Sequence, residues 1–220
     1  MNRDAFESGR KAEDRRLRGI GLVLCLALFV VSPGGCFLPD IQQAQTDTTR
    51  YFVLAEAGLP PVAARPNAPR VAVRMVEVAP YLKNRSLVVR RGENEVKFID
   101  DARWAEPLDV SITRLVRARL AAATGRPAAP DAGLATDYLV NVRVVNCEGV
   151  VAGAAGTADL GAEIDLLPAG PASAGPAVRK TFRAKSAAWD GKDYAQLAHR
   201  LSEAVAELAD AVLTAAQERQ

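Results

Sequence analysis

Alternation of hydrophobic and polar residues marks two segments in the second half of the chain. In residues 157–167 acidic residues or glycine separate the hydrophobic ones, and residues 137–147 show a similar pattern. Such alternation is typical of antiparallel strands with one face against a core and the other against solvent. The residues expected to face inward are Tyr138, Val140, Val142, Val144, Ala158, Leu160, Ala162, Ile164 and Leu166.

Two further segments carry hydrophobic residues at the spacing of an amphipathic helix. The first follows Pro107, which suits the first turn of a helix, and ends before Gly125, which suits a C-cap. The second covers residues 193–217. The two stripes are Leu108, Ile112, Leu115, Val116 and Leu120, and then Tyr194, Leu197, Leu201, Val205, Leu208 and Val212. We expect the arginines outside the first stripe, which are Arg114, Arg117 and Arg119, to form a solvated face.

Shorter strand candidates complete the pattern, and the proline-rich residues 58–70 predict a loop between two of them. These candidates are residues 50–57, 71–79, 87–91, 95–99 and 177–185. Residues 71–79 are rich in β-branched side chains and suit an interior strand, and the two runs around Gly92 predict a hairpin. Because groups of strands alternate with two helices, we predict one α+β domain over residues 50–220. Its sheet would be mostly antiparallel and would carry both amphipathic helices on one face.

The N-terminus has the pattern of an export signal. Three arginines at positions 15, 16 and 18 precede the apolar run Ile20–Val31. Twelve residues are too few to cross a bilayer as a helix, which takes about 20, but they suit the hydrophobic region of a signal peptide. The run ends at Pro33-Gly34-Gly35, which would stop a helix. We therefore predict a signal peptide over residues 1–35.

Cys36 follows this signal and is open to three interpretations: a buried thiol, half of a disulfide or an attachment point. The chain has three cysteines, and Cys25 would leave with the signal, so no disulfide framework exists. The two glycines before Cys36 resemble a bacterial lipobox, although Pro33 stands where leucine is usual. That resemblance implies acylation of Cys36, a lasting membrane anchor and a flexible tether over residues 36–49. In lipoproteins of this kind an aspartate after the cysteine usually causes retention in the inner membrane. Because Phe37 stands at that position, the same resemblance favours the outer membrane.

Charge excludes one class of partner. The chain has 28 basic and 26 acidic side chains, and the first 35 residues hold six and four of them. The exported part is therefore neutral overall. Because a nucleic-acid-binding surface needs a basic excess to neutralise phosphates, we expect no nucleic-acid partner.

A search for catalytic chemistry finds little. His199 is the single histidine, and Cys147 is the single cysteine in the predicted domain, so a zinc site would lack ligands. The glycines of residues 149–156 connect two strands and open no helix, which argues against a phosphate-binding loop. We expect no enzyme activity, no cofactor and no metal, while a Cys147–His199 nucleophile pair stays open because sequence separation cannot exclude it.

The block from Val71 to Gly125 resembles the ABC-type transport auxiliary lipoproteins, the PqiC-like family. The resemblance rests on a strand that ends in Pro80-Tyr81-Leu82, on a hairpin rich in valine and arginine, and on the run from Arg103 to Leu108 that opens the first helix. It implies a lipid-anchored protein on the periplasmic face of the outer membrane, with an MCE-domain protein and ABC transporter subunits as partners in lipid transport. Whether the protein forms a homo-oligomer is left open. The family has no catalytic residues that could be assigned to positions of this sequence.

The block suggests a candidate site of five residues with two interpretations. Trp104 can close the core between hairpin and helix, which we favour, or it can join Pro80, Tyr81, Leu82 and Arg103 in a partner-docking surface. Two other functions stay open. One is a structural or assembly lipoprotein of the envelope without a transport role, and the other is a small esterase or thiol enzyme.

Overall fold

Nine strands and two α-helices form the part of the chain that the computed structural model describes, which is residues 47–130, 135–153, 155–170 and 175–219. Cys36, the signal peptide and residues 36–46 of the tether lie outside these ranges. The strands are β1 (Arg50–Phe52), β2 (Val71–Val73), β3 (Glu77–Val78), β4 (Ser86–Arg90), β5 (Val96–Trp104), β6 (Tyr138–Ala152), β7 (Ala155–Pro168), β8 (Val178–Arg183) and β9 (Ala187–Trp189). The helices are α1 (Leu108–Thr124) and α2 (Tyr194–Gln217), and a 3₁₀ turn covers Pro80–Lys83.

One mixed sheet has the order β1-β5-β4-β6-β7-β8, with β9 beside the far end of β7. The long pairings β6/β7 and β7/β8 and the hairpin β4/β5 are antiparallel. Strands β2, β3 and β4 follow one another along the same edge of β6, all parallel to it, and β1 is parallel to β5. The predicted α+β class is thus confirmed, with parallel pairs added. Alternation predicts which face of a strand is buried but not the direction of its neighbour.

The two helices pack against each other, and both also contact the sheet. All the residues predicted to face inward from β6 and β7 are buried, and so are both helical stripes except the half-buried Tyr194. Helix α1 begins at Leu108 after Pro107 and ends at Gly125, which has φ 69° and donates its N–H to the carbonyl of Ala121. The side chain of Asp193 accepts the N–H of Ala195 and caps α2. The predicted inward faces, helical stripes and Gly125 cap are confirmed, and the cap at Asp193 is an addition from the structure.

Two predicted strands are shorter than expected, and β9 was not predicted. Residues 50–57 form a strand only as far as Phe52, because the fully buried Leu54 turns into the core. Residues 71–79 divide into β2 and β3. Between them the N–H of Val76 leaves the sheet and donates to the side-chain oxygen of Thr113 on α1 (2.9 Å). A side chain distant in sequence thus replaces a strand partner, which no local pattern reveals.

Residues 53–70, which we call the strap, connect β1 to β2 by crossing both helices. The N–H of Ala55 donates to Ser202 on α2, and that of Arg65 to the carbonyl of Ala123 on α1. Leu59 and Val62 of the strap pack against the core. The predicted loop therefore forms an outer cover of the helical layer.

The arginines of α1 hold the strap and β2, so the expected solvated face is wrong for two of them. Arg119 donates to the carbonyl of Pro60 (2.7 Å) and Arg117 to that of Val73 (2.7 and 2.9 Å). Arg114 donates to the carbonyl of Leu54 and also stays exposed. Backbone carbonyls of the strap lie close to α1, and its guanidinium groups donate the hydrogen bonds that these carbonyls need.

Candidate partner-docking site

The structure divides the five predicted site residues between the core and the surface. Leu82 and Trp104 are 2% and 3% exposed and belong to the main hydrophobic core. Pro80 and Arg103 are exposed, and Tyr81 is half-buried. The favoured interpretation of Trp104 agrees with this burial. The docking hypothesis is therefore restricted to Pro80, the outer part of Tyr81, and Arg103.

The 3₁₀ turn that carries Pro80 and Tyr81 interrupts the line of strands along β6. It lies between β3, which pairs with β6 at Arg143–Val144, and β4, which pairs at Gly149–Val150. The pairing of β6 with β7 shifts in register between Val144 and Asn146, within this gap. Proline suits the first position of such a turn because its missing N–H is not needed there.

A buried carboxylate anchors this turn. Glu148 of β6 is 1% exposed, and it accepts the Tyr81 hydroxyl at Oε2 (3.0 Å) and Nε of Arg90 at Oε1. The Tyr81 hydroxyl also lies 3.3 Å from the carbonyl of Val145 at the register shift. We call Tyr81, Arg90 and Glu148 the Glu148 cluster. It connects the turn, β4 and β6 through charge-assisted hydrogen bonds.

The pKa shifts and the burial of the Glu148 cluster suit a structural role. Burial, and then the negative charge of Glu148, raise the pKa of Tyr81 above its ordinary value, so the phenol stays protonated and donates its hydrogen bond. The hydrogen bond to Glu148 raises the pKa of Arg90. Because the carboxylate is paired and closed off from solvent, the cluster holds the turn in place and offers no open acid or base.

Sequence reasoning missed Glu148. The even-numbered inward positions from Tyr138 to Val144 would place residue 148 on the inward face, but the register shift between Val144 and Asn146 turns Cys147 inward and Glu148 to the opposite face. That face is solvated along β7 but is covered by the turn at Glu148. A buried acid beside a Pro-Tyr turn leaves no local signal, since its partners lie 58 and 67 residues away in sequence.

An exposed patch surrounds Arg103 at the edge of the sheet. Arg103 is aligned with Tyr51 across the parallel β1/β5 pair, and Tyr51 is 59% exposed. Val53, which follows β1, is 49% exposed. We call Tyr51, Val53 and Arg103 the β1/β5 patch. Sequence reasoning missed the first two, although the alternation within residues 50–54 could have placed them opposite Phe52 and Leu54.

The candidate nucleophile is not activated. Cys147 is 2% exposed, and burial raises the pKa of its thiol to about 12, so the thiolate is scarce at neutral pH. His199 lies 3.6 Å from Glu203 on the same helix, with 42% of its side chain exposed.

Among the described residues, no three His, Cys, Asp or Glu side chains are grouped to hold a metal ion. No helix in the described ranges is long and apolar enough to span a membrane.

The fold defines an α+β domain with one mixed sheet and a layer of two helices under a strap. A family model described as the ABC-type transport auxiliary lipoprotein component matches residues 52–213, and the chain belongs to this family. The family resemblance stated from the sequence is thereby confirmed. A comparison with curated proteins finds no match.

Solved structures share this fold at low sequence identity. An uncharacterized protein is 18% identical, with a TM-score of 0.59 over 76% of this chain and 97% of that chain. Protein XCC0632 from Xanthomonas campestris, described as a DUF330 protein, is 19% identical, with a TM-score of 0.61 over 76% and 95%. A PelC dodecamer from Paraburkholderia phytofirmans is 17% identical, with a TM-score of 0.36 over 74% of this chain and 95% of that chain.

Proposed function

We propose that this chain is a membrane-anchored periplasmic lipoprotein that assists an ABC/MCE-type system in lipid transport between the inner and outer membranes. The observation that carries the proposal is membership of the ABC-type transport auxiliary lipoprotein family over residues 52–213. An accessory, non-enzymatic role is part of the proposal. It is supported by the protonated, buried thiol of Cys147 and by the closed Glu148 cluster.

The anchor in this proposal is Cys36, acylated at the periplasmic face of the outer membrane. Strand β1, which carries Tyr51 of the β1/β5 patch, begins at Arg50, directly after the predicted tether in the sequence. Mass spectrometry of the mature N-terminus tests the anchor. We expect an acylated Cys36 in the native protein and a water-soluble chain after Cys36→Ser, whereas an unmodified Cys36 would contradict the anchor alone.

The proposed partner surface consists of the β1/β5 patch and the exposed side of the Pro80–Lys83 turn. Tyrosine and arginine are the residue types enriched in protein interfaces, and Tyr51 and Arg103 present both side by side. The partners in this proposal are an MCE-domain protein and ABC transporter subunits. A second copy of the chain is a further candidate for the same edge, because β1 has no neighbour on its outer side among the described strands.

An affinity pull-down from detergent-extracted membranes tests the partners. The native chain should recover an MCE-domain protein or an ABC subunit. Arg103→Glu should reduce this recovery at least tenfold, because a charge reversal at an interface core costs more than the roughly 1.4 kcal/mol that corresponds to tenfold. Lys97→Glu reverses an exposed charge on the same strand and is the matched control. Both variants should melt within a few degrees of the native protein.

Two outcomes of this experiment separate the candidate functions. Recovery of an envelope protein without any MCE or ABC component would favour the alternative, a structural or assembly lipoprotein without a transport role. Equal recovery by Arg103→Glu and Lys97→Glu would exclude the β1/β5 patch as the contact while leaving the partners in place.

A further inference from the structure

A cavity lies under the strap, away from the β1/β5 patch. It has a volume of about 370 Å³ and is bounded by the strap, by α1, by α2 and by the connection between β8 and β9. Its basic lining residues are Arg65, Arg119, Lys185 and Arg200, and Pro60 and Pro61 form part of its wall. This volume lies within the range of small-molecule sites, about 300–1,000 Å³.

Arg119 is the unusual residue of this cavity. It is only 9% exposed, yet the one hydrogen bond that its side chain makes within the described ranges goes to the neutral carbonyl of Pro60. Within the described ranges, no carboxylate lies within the 4.0 Å of an ion pair with it. Arginine is rarely buried without a partner, because removing its charge from water is costly. No nitrogen of Arg119 is among the solvent-shielded side-chain atoms that lack a partner in the described ranges, so the donors that Pro60 leaves free are open to the cavity and available to an anion.

Arg200 points to the same conclusion from the other helix. One of its terminal nitrogens donates to Glu203 (2.9 Å), but its Nε is shielded from solvent and has no partner in the described part of the chain. An unsatisfied buried donor calls for an explanation such as a bound ion or water. Two arginines, one from α1 and one from α2, thus line one cavity.

The carboxylates of the cavity are already engaged. Glu203 is held by Arg200 and faces His199, Glu207 accepts the backbone N–H of Lys185, and Asp210 lies 3.6 Å from Arg65. With four basic and three acidic side chains in the lining, the cavity has one positive charge in excess. A ligand with a single negative charge would balance it.

The geometry points to a phosphate-class oxyanion site, formed by Arg119 and Arg200, that takes a singly charged phosphate or phosphodiester. Guanidinium groups match phosphate oxygens through paired N–H donors. A tetrahedral phosphate accepts such pairs from two helices at once, whereas the two oxygens of a carboxylate lie in one plane. The anion can come from a phospholipid headgroup or from free phosphate, and the two share this chemistry.

The larger open groove of about 730 Å³ on another part of the surface lacks these features. Its Arg179 is paired through two nitrogens with Asp165, and Arg117 gives two nitrogens to the carbonyl of Val73. Its other arginines, Arg74 and Arg143, are exposed and therefore solvated. Arg117 is thus a suitable control, because it also holds a carbonyl from α1 but does not line the cavity under the strap.

Thermal unfolding with anions added tests the site. The probes are inorganic phosphate and dihexanoylphosphatidylglycerol below its micelle concentration, each compared with sodium chloride at the same ionic strength. At a concentration a hundredfold above Kd, we expect Tm to rise by roughly 5–10 °C. Arg119→Met should lose this rise and Arg117→Met should keep it, whatever their own Tm in chloride.

The outcomes are distinct. A response to phosphate alone supports a free phosphate site, and a response to the lipid alone supports a headgroup site. No response beyond that to chloride overturns the proposal, as does an equal response in Arg119→Met. If Arg119→Met does not fold, Arg200→Met replaces it, with binding of the same probes measured by calorimetry on the native chain. The result is independent of the pull-down, because Arg103 lies outside this cavity.

Discussion

Glu148 and Arg119 are two buried charges with opposite surroundings. Glu148 has a charged partner and a hydroxyl donor inside the chain, so its burial is compensated locally. Arg119 has one neutral carbonyl. Breaking a compensated buried charge is costly, whereas a guanidinium that lines a cavity and has no carboxylate partner is available to an anion. Glu148 therefore contributes to the stability of the fold, and Arg119 is assigned to ligand binding.

Tyr81→Phe tests the Glu148 cluster. Removing the hydroxyl leaves Oε2 of the buried carboxylate without its donor, so we expect the free energy of unfolding to fall by about 1–3 kcal/mol. Urea denaturation measures this loss. Tyr51→Phe removes an exposed hydroxyl and should change stability by no more than about 0.5 kcal/mol. Equal effects of the two changes would show that the hydroxyl of Tyr81 does not support the turn.

The hydrogen bond between Tyr81 and Glu148 makes Tyr81 a poor position for a test of docking. Tyr81→Ala would remove partner contacts and the support of Glu148 together, so loss of function would not identify a docking role. Arg103 is exposed and keeps the two effects apart. The sequence placed Tyr81 and Arg103 in one candidate site, but only burial and hydrogen bonds assign one to support and the other to the surface.

At the scale of elements, β6 shows how close packing depends on one small residue. Gly149 faces the helical layer, and a Cβ atom built there would lie 2.7 Å from Cζ3 of Trp189 on β9 and 3.1 Å from a methyl of Leu197 on α2. Trp189 is itself fixed, since its indole N–H donates to the carbonyl of Asp193 (2.6 Å). Gly149 thus permits the contact between β6, β9 and the start of α2.

Gly149→Ala should therefore destabilise the domain by about 1–3 kcal/mol through overpacking. Trp189→Phe in the same chain removes the ring atoms that clash, so the double variant should recover part of the loss, with a coupling of about 0.5–3 kcal/mol. A double-mutant cycle in urea measures this coupling. Additive effects would mean that the backbone of β6 moves away instead.

At the scale of the whole molecule, one core joins the sheet to both helices, and Cys147 belongs to it. Its thiol is almost fully buried, and its pKa is raised to about 12 by that burial. Access to this sulfur therefore requires opening of the core as a unit. Cys147 is a natural reporter of global unfolding.

Labelling with iodoacetamide tests this cooperativity in a chain that carries Cys25→Ser and Cys36→Ser. We expect the labelling rate of Cys147 to rise with urea along the slope of equilibrium unfolding. Ala152→Cys, at the exposed end of the same strand, should react at once in the native state. Labelling of Cys147 that does not depend on urea would reveal local opening of β6.

The sequence by itself determined the local structure: the inward faces of β6 and β7, the stripes of both helices and the cap at Gly125. These features depend on neighbours within a few residues, which is why periodicity and end residues predict them. The family resemblance between Val71 and Gly125 was also readable, because it rests on contiguous residues.

Only the tertiary structure decided the parallel strands along β6, the pairing of Glu148 and the burial of Arg119 under the strap. Each depends on partners distant in sequence, such as Pro60 and Arg119, which are 59 positions apart. A polar face predicts exposure only while nothing covers it. In this protein a turn covers one charged residue and a proline-rich strap covers another, and no local pattern encodes either cover.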